Sequence, residues 1–306
     1  MTGRQIGKLG RNVVALGLLS VSAGAAENED IYDVELESIR LSDTVYMLEP
    51  EPPTVGNLAI SAGEDGILMV DDQLMSLTDK IRAAVAEIQP GEITFLVNSH
   101  YHFDHAGGNA EFGKESTIVA HHNVRSRLAE GREAGPRFIE GTRPPEALPV
   151  ITFRESVTFH WNGEDVDVIH LPNPSHTDGD AVVFFRGSNV IHMGDQYINL
   201  GGLPYVDRDV GGNALGLRDN MALLLGMIDE ETKIIPGHGP LASKPDLQWF
   251  HDLLAGTIAF IEAEKNAGRT LEQVQSAGLP DQYKEGTSGF IPHATWIQYV
   301  YSSLED

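Results

Sequence analysis

The sequence predicts an α/β protein, a four-layer αβ/βα sandwich with two sheets inside and helices on both outer faces. Three observations carry the prediction. Apolar runs of strand length lead each half of the chain, and helix-length stretches close each half. Strands and helices in that order bury their apolar faces by stacking in layers. The chain has no period of about 20 to 50 residues that would mark a repeat array. The residues able to ligate a metal stand just past the apolar runs, at the strand ends where α/β sheets gather ligands.

In chain order, Thr44–Leu48, Leu58–Ser61 and Gly66–Val70 read as strands, with Gly63–Gly66 as an Asp-Gly turn. Ser76–Ile88 has helical spacing and stops at Pro90-Gly91. Ile93–Val97 is a short apolar run with the character of a buried strand. Ser116–Ala120 is a further strand, followed by a helix from His122 to Glu130. Gly131–Pro149 is rich in Gly, Pro and charge and reads as a long surface loop. Four strands follow in close order at Ser156–Trp161, Val166–His170, Ala181–Arg186 and Val190–Met193. Ala214–Ile228 is helical, Lys233–Ile235 is a strand, and Leu247–Ala267 is a long helix with Asp246 as its cap. A helical tail completes the chain.

The first residues differ from the rest. Arg4, Lys8 and Arg11 precede a mostly apolar run, Asn12–Ser22, and Ala23-Gly24-Ala25 follows as a small-residue cleavage site. Residues 1–25 therefore read as a secretory signal peptide, and 26–306 as a single domain with a helical C-terminal tail. The apolar run is short of the roughly 20 residues that cross a bilayer. The expected location is the periplasm. The chain has no cysteine, so it has no disulfide, and any metal is held by histidine and carboxylate.

The formal charge is -24. Residues 1–26 hold three basic and no acidic residues, which leaves 18 basic against 45 acidic, or -27, in the remainder. Such a surface repels nucleic acid and anionic lipid and suits a soluble chain. The expected partner is a small-molecule substrate, with neither nucleic acid nor membrane.

The chemistry concentrates in Asn98–Asn109, where His100-x-His102-x-Asp104-His105 puts three histidines and an aspartate into six residues. Histidines at i and i+2 of a loop can aim both rings into one pocket, with Asp104 and His105 facing a neighbouring point. That suits two ions about 3.5–4 Å apart, and imidazole with carboxylate favours zinc over iron or manganese. One loop cannot fill two coordination spheres. Pro174–Asp180 supplies His176, Met193–Gln196 supplies Asp195 and Pro236–Pro240 supplies His238, each soon after an apolar run and near a glycine. Other histidines read as ordinary: His121 and His122 start a helix, and His170 and His192 lie near the site. Asp178 and Asp180 flank His176 as turn or orienting residues.

From about Thr44 to Pro240 these motifs, in type and order, make the chain similar to the metallo-β-lactamase superfamily. The resemblance implies the same sandwich. It implies one zinc on His100, His102 and His176, a second on Asp104, His105 and His238, and Asp195 bridging them, as in the superfamily's thioesterases and lactonases. β-Lactamases with a cysteine ligand lack a histidine after the aspartate, and those with that histidine generally lack the bridging aspartate. This chain has both His105 and Asp195.

The expected mechanism follows. A water bridging two zinc ions loses its proton near neutral pH and attacks a carbonyl, with Asp104 as the catalytic residue that orients it. No G-x-S-x-G motif offers a serine nucleophile. Tyr197 and Asn199 are candidates to reach an oxyanion or a substrate carboxylate. Arg208, Arg218 and Lys233 are the only cationic side chains between Asp195 and His238, and read as surface or packing residues. The loop Glu49–Gly56, stiffened by three prolines, precedes the strand at Leu58. The expected function is opening of a cyclic amide or ester, a β-lactam before others, since export places the protein where β-lactam targets face. Lactonase, esterase and phosphodiesterase are the alternatives within the superfamily. Outside hydrolysis stand an iron persulfide dioxygenase, in which Asp104 and His238 bind no metal, and a binding protein that has lost catalysis. All seven ligands are present.

Overall fold

The computed structural model describes residues 34–131, 143–284 and 291–305. The expected signal peptide and most of the expected surface loop at 131–149 lie outside the described residues. Among the described residues, twelve strands form two sheets. The first sheet runs in chain order: β1 (Glu35–Arg40), β2 (Val45–Glu51), β3 (Leu58–Gly63), β4 (Gly66–Val70), β5 (Ile93–Asn98), β6 (Thr117–His121) and β7 (Ile151–Phe153). Its first four strands pair antiparallel, and β4 to β7 pair parallel. The connections inside the parallel half carry α1 (Thr78–Ile88), α2 (Phe103–Ala106), α3 (Asn109–Phe112) and α4 (His122–Glu130).

The second sheet has the order β12, β11, β10, β9, β8, with β8 (Ser156–Trp161), β9 (Glu164–His170), β10 (Ala181–Phe185), β11 (Val190–His192) and β12 (Lys233–Ile235). The meander from β8 to β11 is antiparallel, and β12 returns parallel to β11 through α5 (Ala214–Met227). The chain closes on α6 (Lys244–Asn266), α7 (Leu271–Ala277) and α8 (His293–Ser303).

Period-two alternation explains how the layers meet. Val166 and Val168 of β9, and Val183 and Phe185 of β10, face Met47, Leu68, Val97 and Val119 of the first sheet in one buried core. The intervening Val182 and Phe184 point the other way, into a second core with Leu217, Met221, Phe250, Leu254, Trp296 and Val300 of the helices. Central strand β10 is therefore buried along its whole length, whereas edge strand β8 alternates.

The structure departs from sequence expectation at several places. β1 was not anticipated, because its ELESIR sequence lacks clean alternation and its residues are mostly exposed. β7 was missed beside the expected loop because it has only three residues. β2 continues through Pro50, which pairs with Leu36, so the proline-rich loop starts later than expected. Helix α6 starts at Lys244, with Ser243 as N-cap and Pro245 in its first turn. Asp246 is the third residue of that turn, and its carboxylate accepts from the backbone N–H of Ser243 at 2.8 Å and from its hydroxyl at 2.5 Å. Asp246→Ala removes that acceptor and a favourable charge at the helix start. It is expected to lower stability by about 1 kcal/mol, measurable as a shift of the urea midpoint at unchanged slope.

Candidate metal centre

Four loops at one end of the sandwich build the site. The loop after β5 carries His100 and His102, and α2, which follows it, carries Asp104 and His105; the β9–β10 loop carries His176; a 3-10 turn after β11 carries Asp195; and the loop after β12 carries His238. The structure brings all seven expected ligands together. His100, His102, His176 and Asp195 form one group and Asp104, His105 and His238 a second, with ligand atoms within 4.8 Å of one another in each. Asp195 touches both. Its Oδ2 lies 3.5 Å from His176 Nε2, and its Oδ1 lies 3.1 Å from His105 Nε2 and 3.5 Å from His238 Nε2.

The imidazole tautomers are set from outside. His102 donates from Nε2 to Asp207 Oδ2 at 3.0 Å, and Asp207 also accepts from the Tyr101 hydroxyl. His176 donates from Nδ1 to the carbonyl of Tyr205 at 2.9 Å. His105 donates from Nδ1 to Asp71 Oδ2 at 2.8 Å. The Ser99 hydroxyl donates to Asp71 Oδ2 at 2.7 Å and so accepts from His100 Nδ1 at 3.0 Å. Four rings thus use their N–H on oxygens behind them and turn a lone pair inward. The inward nitrogens stand close: 3.1 Å from His100 to His102, 2.8 Å from His102 to His176 and 3.3 Å from His105 to His238. Lone pairs so near repel unless a cation lies among them. Neighbouring nitrogens of a tetrahedral zinc stand about 3.3 Å apart, given bonds of about 2.0–2.1 Å. Asp195 Oδ1 is buried with no hydrogen-bond partner, a cost that a metal bond removes. The residues fit a metal centre of imidazole and carboxylate.

Electrostatics separate the two groups. Burial and the neighbouring imidazoles of His105, His102 and His176 hold His100 well below the usual histidine range, and burial and His102 lower His176. Burial also pulls on His105 and His238, but the carboxylates of Asp195 and Asp104 outweigh it and raise both. Burial disfavours the Asp195 carboxylate, yet His238 and His105 overcome it and hold Asp195 well below the usual range. The first group is therefore three imidazoles around one carboxylate, and the second balances imidazole against carboxylate.

Sequence reading missed Asp71, Asp207 and Asn57 among the residues that hold this geometry, placed His192 near it and expected Asp180 as a turn or orienting residue. Asp71 supports His105 directly and His100 through Ser99. Asp207 orients His102. Asn57 clamps the His238 loop, donating from Nδ2 to the carbonyls of Pro236 at 2.9 Å and Gly239 at 2.8 Å. His192 donates from Nε2 to the carbonyl of Asn57 at 3.1 Å and accepts at Nδ1 from Gly194 N at 3.3 Å, which ties the Asp195 turn to the first sheet. Asp180 accepts from Ser175, from the backbone and hydroxyl of Thr177 and from Gln196. It thereby locks the His176 loop to the Asp195 turn. Asp178 instead pairs with Arg127 at 2.6 Å.

Tyr197 and Asn199 are corrected. The Tyr197 ring is buried in the helix-side core 5.1 Å from that of Phe250, and its hydroxyl donates to Asn199 Oδ1 at 3.1 Å. Asn199 donates to the carbonyl of Pro240 at 2.9 Å. Both side chains brace the His238 loop. Arg208 reaches the carbonyl of Gly212, Arg218 pairs with Asp219 and Lys233 reaches the carbonyl of Leu41.

Known proteins agree with this architecture. Metallo-beta-lactamases are among the solved structures of similar shape: one from Pontibacter korlensis superposes with a TM-score of 0.58 at 17% identity, covering 72% of this chain and 99% of that one. Among curated sequences, the chain is 27% identical over 184 residues to a hydroxyacylglutathione hydrolase of Polaromonas, covering 60% of this chain and 61% of that relative. It is 27% identical over 176 residues to a probable metallo-hydrolase of Mycobacterium bovis, covering 49% and 56%. The chain spans less than two thirds of the length of these sequence relatives. A family model matches residues 62–238, a span that starts in β3 and ends on the last of the seven converging side chains. The chain belongs to the metallo-beta-lactamase superfamily.

Proposed function

We propose that the protein is an exported dinuclear zinc hydrolase that opens a cyclic amide or ester, with β-lactams as the first substrate class. The observation that supports it most is the pair of ligand groups joined by Asp195, with the imidazole lone pairs turned inward. Bound in pairs, zinc ions supply Lewis acidity toward a carbonyl oxygen and a water acidified to near neutral pH. The chain supplies the rest. Asp71, Asp207 and the Tyr205 carbonyl hold the imidazoles in the ligating tautomer, and Asp195 fixes the spacing of the groups. To Asp104, at 14% the more exposed of the two carboxylates, this reading assigns the orientation of the attacking water. The fold of the structural neighbours favours the β-lactam. Contact of Asp195 with both groups favours a second reading, a lactone or other ester, as the resemblance to thioesterases and lactonases implies. The N-terminal charge and apolar pattern supports export.

Metal analysis and hydrolysis on one preparation test the reading. Two zinc ions per chain are expected, with turnover of a chromogenic cephalosporin abolished by chelator and restored by zinc. Two zinc ions with turnover of an acyl-homoserine lactone alone move the substrate to the second reading. One iron per chain with no hydrolysis overturns both.

A further inference from the structure

Beside the first ligand group stand two tyrosines, Tyr205 and Tyr299, whose side chains the site itself does not use. The Tyr205 ring lies 5.8 Å from that of His102 and 5.8 Å from that of His176, against both imidazoles. Its backbone is pinned by the bond its carbonyl accepts from His176. The Tyr299 ring crosses it edge-on at 5.9 Å and 77°. Tyr299 comes from α8 in the C-terminal tail, and that helix is anchored. The Trp296 indole donates to Thr257 at 3.0 Å, and the Ser303 hydroxyl accepts from the backbone of Ala214 at 3.1 Å.

Both residues are half-buried. Tyr101, Tyr197 and Tyr301 spend their hydroxyls on Asp207, Asn199 and the carbonyl of Arg269. The hydroxyls of Tyr205 and Tyr299 have no such partner among the described residues. Burial, then the carboxylates of Asp207 and Asp209, push the Tyr299 phenol up to about 12. Tyr205 rises by burial and the same carboxylates. Each offers a hydroxyl donor at the end of an apolar ring.

We propose that Tyr205 and Tyr299 form a specificity wall at the first ligand group that stacks on an aryl arm of the acyl substrate. This deepens the hydrolase reading and rests on it. It also gives the C-terminal tail a role in recognition, because α8 brings one half of the wall.

The test compares amide side arms on one ring, with phenylacetyl and acetyl forms of the same β-lactam and of the homoserine lactone. The wild type is expected to favour phenylacetyl over acetyl in kcat/KM. In Tyr205→Ala and Tyr299→Ala the phenylacetyl-to-acetyl ratio falls about three- to tenfold, the worth of one aromatic contact, mainly through KM. Tyr299→Phe keeps the ratio. Tyr299→Leu preserves apolar bulk if the alanine variant fails to fold, and it too loses selectivity. In parallel, phenylacetamide is expected to shift the ring-proton NMR signals of Tyr205 and Tyr299, and acetamide to leave them in place. A ratio unchanged in folded Tyr299→Leu and Tyr205→Ala overturns the wall, as does the absence of phenylacetamide shifts. Shifts without hydrolysis of any ring keep the wall and sink the hydrolase reading, so the two failures are distinct.

Discussion

Asp71→Ala lowers the stability of the protein by about 3–5 kcal/mol, the loss expected when one partner of a buried ionic network is removed. Asp71 is fully buried at the end of β4 and accepts three bonds. Its Oδ1 takes the backbone N–H of Ser99 at 2.7 Å, and its Oδ2 takes the Ser99 hydroxyl and His105 Nδ1. Alanine leaves all three donors without an acceptor, each costing about 1–3 kcal/mol. The residue also sits at a φ of 61°, where a side chain able to bond locally is tolerated better than alanine. The melting temperature should fall by roughly 10 °C. Metal affinity should fall about 10- to 100-fold, because His100 and His105 lose the acceptor that sets their tautomers. Calorimetry and metal content after dialysis read the two effects separately. Wild-type metal content in the folded variant would show that both rings hold their tautomer without Asp71.

Gly237→Ala is expected to cut kcat/KM at least about a hundredfold, the scale of a 1 Å misplacement at a reacting centre. A Cβ at this position falls 2.1 Å from Asp195 Oδ1 and 2.7 Å from the Gly194 carbonyl carbon and oxygen. The backbone at 237 has no room to retreat: its N–H donates to the carbonyl of Tyr197 at 2.8 Å and its carbonyl accepts from Asn57 N at 2.7 Å. The carboxylate must therefore move, and with it the contact between the two ligand groups. The stability loss should be smaller, about 1–3 kcal/mol. Gly226→Ala in α5, where a Cβ meets nothing within 4 Å, is the control and should gain about 0.5–1 kcal/mol. Steady-state kinetics on both variants check the pair. Full activity in Gly237→Ala would mean that the position of Asp195 is not limiting.

The ligands were legible because metal chemistry restricts residue type and the β5 loop crowds four of them into six positions. The central strands were legible because burial on both faces leaves continuous apolar runs such as β10. What stayed hidden depends on direction. Nothing in the sequence shows that Asp71 turns back under the His105 loop through a positive φ, although an acidic pair, Asp71-Asp72, directly after an apolar strand was a usable signal. Asp207 lies 105 residues from the histidine it orients, beyond any local pattern. Tyr197 was close to Asp195 in sequence, but the 3-10 turn at Gly194–Gln196 points its ring into the core. Its neighbour Ile198, apolar and also buried, was the clue.

Each ligand group draws side chains from both sheets: His100 and His102 with His176 and Asp195, and Asp104 and His105 with His238. An ion in either group is therefore a rivet between the two leaves of the sandwich, and unfolding has to draw it. At a free concentration a thousandfold above its dissociation constant, each ion adds about 4 kcal/mol to the folded state. Starved of metal, the molecule opens more often along that seam and meets proteases more often. Chelation is therefore expected to shorten the survival of the protein in a protease digest as well as to stop its activity.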